Sequence, residues 1–98
     1  METLKLNKNN WTGDETDLEV NREEMYIVFD DERFYVREVN TDQDLNFRDF
    51  HIVESLDADY PTARGYFYKG VYEFEAYGVS RSSKDWAVAA AQLLFNIL

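Results

Sequence analysis

The chain has 98 residues, room for one hydrophobic core and not two, and its 20 Asp and Glu against 10 Lys and Arg leave a net charge of −10. The absence of cysteine excludes disulfides and thiolate metal sites, and the charge disfavours direct binding to a nucleic-acid backbone. Sixteen of the twenty carboxylates fall between Asp14 and Asp59, where only Arg22, Arg33, Arg37 and Arg48 offset them, so that segment alone carries −12.

Residues 1–98 read as one domain. Residues 1–24 are polar and acid-rich, with weak alternation only over Thr3–Leu6, and the expectation there is at most one short strand in a loosely ordered stretch. From Met25 the pattern sharpens. Met25-Tyr26-Ile27-Val28-Phe29 and Arg33-Phe34-Tyr35-Val36-Arg37-Glu38-Val39 are β-branched and aromatic runs around Asp30-Asp31-Glu32, which predicts a hairpin with a three-residue connection. Phe34 and Val36 would face the core, with Arg33, Tyr35 and Arg37 on the wet face.

Phe50–Leu56 alternates again, placing Phe50, Ile52 and Leu56 on one side of a third strand. Pro61 marks a loop and forces Tyr60 into an extended conformation. Gly65–Tyr68 and Val71–Tyr77 flank Lys69-Gly70, a second hairpin in which Gly70 supplies positive φ and Tyr72, Phe74 and Ala76 face the core. The last segment changes period. Trp86, Ala90, Leu93, Leu94 and Ile97 recur at helical spacing, with Ser82 or Ser83 as the cap and Asp85 in the first turn. The fold expected is α+β: an antiparallel sheet of four or five strands with one C-terminal helix packed on one face.

The stretch Tyr72–Gly78, together with Ser83-Lys84-Asp85-Trp86-Ala87-Val88-Ala89-Ala90-Ala91, resembles the second half of a double-stranded-RNA-binding domain. That family ends in an alternating strand, a short polar loop and a helix opening Ser-Lys-Lys-x-Ala-Lys-x-x-Ala-Ala. Ser83, Lys84, Ala87 and Ala91 fall on the motif, while Asp85 and Val88 stand where two phosphate-holding lysines would be. The resemblance implies a strand–strand–strand–helix arrangement. It also implies a secondary reading, a degenerate domain of this type used for dimerisation or scaffolding, with a homodimer as its form.

Other chemistry is thin. Asp42-Gln43-Asp44-Leu45-Asn46 matches the first five positions of a calcium loop, but Phe47 replaces the turn glycine and Val53 the bidentate glutamate. His51 is the only histidine and lies in a strand, expected to face solvent or the sheet rim; no glycine-rich phosphate loop is present. The expectation is a non-enzyme without metal or cofactor. No apolar leader or membrane-length run occurs, which points to a cytoplasmic protein.

What remains is surface. Acids at Asp30, Asp31, Glu32, Asp42, Asp44 and Asp49, with Tyr35, Tyr66 and Tyr68 as aromatic anchors, form the predicted partner-binding set. In size and charge the chain is similar to small acidic phage anti-defence proteins (anti-CRISPR, anti-restriction) and bacterial immunity proteins. That likeness implies a protein that inhibits a basic, nucleic-acid-handling partner by occupying its nucleic-acid site.

Overall fold

The computed structural model describes residues 2–7, 11, 13, 15–40 and 47–98. The elements run β1 (Glu2–Leu6), β2 (Thr16–Asn21), β3 (Tyr26–Phe29), β4 (Glu32–Asn40), β5 (Phe47–Val53), β6 (Ala63–Tyr68), β7 (Val71–Ala76), β8 (Val79–Ser83) and α1 (Trp86–Ile97). The strands form one eight-stranded antiparallel meander in sequence order. This corrects the expected four or five strands. Two of the additional strands lie in the acid-rich N-terminal segment: Leu18 and Val20 are buried between exposed Asp17 and Glu19. A third, β8, has only Val79 as an apolar residue, and its Arg81 and Ser83 face the helix side opposite Phe74 and Tyr72.

The sheet curls around the helix. α1 contacts β7 and β8 near one end of the strand order and β1 and β3 near the other. Trp86 to Ala91 are all buried, so the first half of the helix has no wet side. A helix apolar all round must be enclosed, and a trough-shaped sheet encloses it. The alanines Ala87, Ala89, Ala90 and Ala91 let its backbone approach the concave face closely. There it meets Leu4, Leu18, Val20, Ile27, Phe34, Val36, Phe50, Ile52 and Phe74.

Gly65 shows how tightly the concave face is filled. It stands in register between Phe50 and Phe74, and a Cβ there would collide with the Phe74 ring and the Glu73 carbonyl. The ring covers the glycine where a side chain would otherwise stand.

One side chain ties the β1 end of the curl to the start of the helix. Arg22, in the β2–β3 turn, donates to both carboxylate oxygens of Glu2 on β1 at 3.1 and 3.0 Å and to both of Asp85 at 2.6 and 2.8 Å. Its guanidinium also lies 5.6 Å from the Trp86 ring centroid. Asp85, expected in the first helical turn, is instead the N-cap: its Oδ1 accepts from the Ala87 amide at 2.9 Å. Ser83, expected as a cap, accepts from the Asp85 amide instead.

Three hairpins close with two-residue turns at Asp30-Asp31, Lys69-Gly70 and Tyr77-Gly78, all six residues having positive φ as type I′ geometry requires. The predicted Asp30-Asp31-Glu32 connection is therefore one residue shorter, with Glu32 already paired to Phe29. The third strand also shifts: Phe50 and Ile52 are buried, while Leu56 lies beyond β5 in a turn and is 55% exposed.

Asp85→Ala removes the cap and one arm of the Arg22 clasp and is expected to lower stability by about 1–2 kcal/mol, most of it from the cap because the ion pair is partly solvated. The bond to Arg22 holds the Asp85 carboxyl below its ordinary value of 3.8. A lowered folded value contributes stability that is whole above the unfolded value and lost as pH falls through the folded one. The stability gap between wild type and Asp85→Asn in urea melts should accordingly narrow below about pH 4; a gap undiminished in strong acid would rule out the carboxylate as its source. Gly65→Ala is expected to cost about 1–3 kcal/mol through overpacking against Phe74, read as a lower thermal midpoint.

Candidate interaction surface

A meander delivers its connections alternately to two rims. The β1–β2, β3–β4, β5–β6 and β7–β8 connections leave at what we term the first rim, and the β2–β3, β4–β5, β6–β7 and β8–α1 connections at the second. This alternation sorts the charges.

The second rim holds its ionic groups largely in pairs. Glu2 and Asp85 are engaged by Arg22, and Glu38 by Arg48, whose Nε donates at 2.7 Å. Hydrogen bonding from Arg48 lowers the Glu38 carboxyl. Lys69 and Lys84 add positive charge there, and Glu23 and Glu24 add exposed negative charge. The first rim differs. Exposed Glu15, Asp17, Asp30, Asp31, Glu32, Glu54, Asp57 and Asp59 gather along its turns; Lys5, in register with Asp17, and Arg33 and Arg64 stand at the same rim, but among the described residues none of these acids has a cation within ion-pair distance.

Grooves open on the same rim. One of about 440 Å³ runs beside Asp17, Glu19, Phe29, Asp30, Asp31 and Phe95. Its floor is aromatic because Phe95, near the end of the helix, is clasped by Phe29 at 4.6 Å and Trp11 at 5.4 Å between ring centroids. A second groove, of about 490 Å³, lies where β6 and β7 separate, and Tyr60, Pro61, Arg64, Glu75 and Tyr77 line it. Pairing between those strands ends at Arg64–Glu75.

Tyr60 and Tyr77 are the most exposed large hydrophobic residues described, at 85% and 86%. Tyr77 also sits at φ +53° in a two-residue turn. A bulky residue in the left-handed region is uncommon, since Asn or Gly fills it at lower cost. The sequence marks Tyr60 only as a loop residue before Pro61; the fold places it beside Tyr77.

The residues predicted for partner binding do not form one patch. Asp30, Asp31 and Glu32 lie on the first rim. Asp49, Tyr66 and Tyr68 lie towards the second rim on the convex face, separated from the first three by most of the nine-residue β4, roughly 25 Å at the rise of an extended strand. Asp42 and Asp44, with the calcium-like stretch they belong to, fall outside the described residues.

Tyr35 packs in the middle of the convex face against Tyr26 at 5.3 Å. Tyr26 itself is buried to 3% exposure, with the Arg33 guanidinium 4.6 Å from its ring centroid. Tyr66 stacks on Phe47 at 5.6 Å and donates to Glu73 at 2.6 Å; that bond and the adjacent charge raise its phenol. Tyr68, partly exposed, meets the Phe47 ring edge at 5.9 Å. Cross-strand packing accounts for Tyr35 and Tyr66.

Among the described residues no cluster of three or more His, Asp or Glu side chains is placed to hold a metal ion, and no helix is long and apolar enough to cross a membrane. Comparison with protein-family models, curated proteins and solved structures found no match, so this surface is interpreted from its own geometry.

Proposed function

We propose that the protein is a non-enzymatic, cytoplasmic binding protein whose first rim docks on a basic surface of a nucleic-acid-handling partner and excludes the nucleic acid from it. The observation that supports this reading is the meeting, on one rim, of eight exposed carboxylates that close no ion pair among the described residues and two almost fully exposed tyrosines. Carboxylates on successive turns offer a basic groove the same charge sign and acceptor chemistry as a run of phosphates. Long-range attraction speeds encounter, and Tyr60 and Tyr77 supply apolar contact area that the acids lack.

Neutralising the β3–β4 turn with Asp30→Asn, Asp31→Asn and Glu32→Gln keeps the hairpin, because asparagine tolerates positive φ. Proteins retained from a host lysate by the immobilised wild-type chain should be lost with this variant, lost at high salt, and displaced by a duplex nucleic-acid fragment. A binding partner that ignores both the substitution and the nucleic acid would refute the mimicry reading.

Tyr77→Asn gives a second, opposed pair of readouts. It creates an Asn-Gly type I′ turn and should raise stability by about 1 kcal/mol. The same variant should weaken partner binding severalfold as an exposed anchor is lost. Unchanged affinity alongside higher stability would remove Tyr77 from the interface.

A further inference from the structure

On the convex face, against the sign of the whole molecule, three basic side chains stand in one cross-strand row. Arg37 on β4 is in register with His51 on β5, and His51 with Arg64 on β6. Paired residues in a sheet share a face, and their side chains approach within a few ångströms of one another. Like charges so placed repel, and nothing in the packing of the core requires them there.

The row continues on β7 with Glu75, which is in register with Arg64, but no ion pair closes between them. Among the described residues no carboxylate lies within ion-pair distance of Arg37 or Arg64. Arg37 Nη1 donates to the Leu56 carbonyl at 3.0 Å, which holds the guanidinium against the β5–β6 connection. Its Nε is buried and has no acceptor among the described residues.

We infer that the convex face binds a phosphate-type oxyanion over His51, between the guanidinium groups of Arg37 and Arg64. Planar guanidinium forks on two sides, with an imidazole between them, offer donors from three directions to a tetrahedral dianion. A planar carboxylate would use fewer of them. This site lies on the sheet face and does not rest on the docking of the acidic rim.

The electrostatics of the row agree with that geometry. Burial and the nearby Arg64 and Arg37 push the His51 imidazole below its ordinary range, while Asp49 on its own strand acts in the opposite sense. An anion seated between the arginines removes the repulsion and favours the protonated ring.

His51 is the only histidine in the chain, so its ring resonances in NMR spectra of the full-length protein report on this site alone. The test is a pH titration of those resonances in chloride, repeated with inorganic phosphate at matched ionic strength. The midpoint is expected to rise by about half a unit or more in phosphate.

Arg64→Gln, at an exposed position that makes no core contact, should abolish that rise and weaken phosphate binding about tenfold or more. Arg37→Gln should do the same, but the arginine also holds Leu56, so Arg64→Gln is the decisive variant. Identical midpoints in the two buffers, or an undiminished rise in Arg64→Gln, would overturn the proposal. A nucleoside 5′-monophosphate separates the sources of the phosphate: equal affinity assigns the site to the bare ion, tighter binding to a nucleotide whose base reaches Tyr35 or Tyr66, two residues from Arg37 and Arg64 on the same face.

Discussion

The first half of the C-terminal helix is apolar on every side, and a helix of that kind holds its place only inside a surround of other apolar groups. A flat sheet can cover one side of it. The eight-stranded meander instead curls, so that strands near both ends of the order touch the helix and its alanines sit against the floor of the trough. Arg22 secures this arrangement by binding Glu2 on the first strand and Asp85 at the helix cap with one guanidinium. The hydrophobic demand sets the curvature, and the clasp fixes which helix end meets which edge of the sheet.

Once the sheet is a meander around a helix, the surface has little freedom left. Connections must alternate between rims, and acids on alternate connections collect on the same side even when they are far apart in sequence. Asp17, Asp31 and Asp57 are neighbours in this sense only. The paired acids at the other rim have structural work: Asp85 caps the helix, Glu2 holds Arg22, and Glu38 binds Arg48. The carboxylates left over at the first rim contribute nothing comparable to the fold and repel one another.

Two of the three tight hairpins were legible, one of them with its turn a residue too long, because their chemistry is local. Lys69-Gly70 and Asp30-Asp31 lie between runs that alternate with period two, and the helix is marked by its change to a period near 3.6. The second strand was not, although Leu18 and Val20 alternate: its outward positions are all acid or amide, and composition hid the period. The eighth strand had no signal to find, since Arg81 and Ser83 occupy helix-facing positions that an apolar pattern would need.

The candidate surface was legible only in part. Acidic turns can be read residue by residue, whereas the convergence of Tyr60 with Tyr77, and of Arg37 with His51 and Arg64, depends on strand register across residues 13 to 27 apart in the chain.

An acidic rim and a basic row on one small domain are compatible because the field of each is short-ranged. At physiological ionic strength exposed charges are screened over about 8 Å, so the row, although Arg64 also lines the Tyr60–Tyr77 groove and Arg37 is held at Leu56, offsets only the acids beside it. Docking of the proposed kind would let the rim act on an approaching macromolecule, whose many positive groups sum over a wide area. The row would act on a small ion only at contact, where directional hydrogen bonds from Arg37 and Arg64 would have to outweigh the diffuse repulsion of the whole chain. Net charge describes the first kind of encounter and says almost nothing about the second. A chain of −10 can therefore gather positive side chains in one row where cross-strand register places them, as Arg37, His51 and Arg64 are placed here beside Glu75.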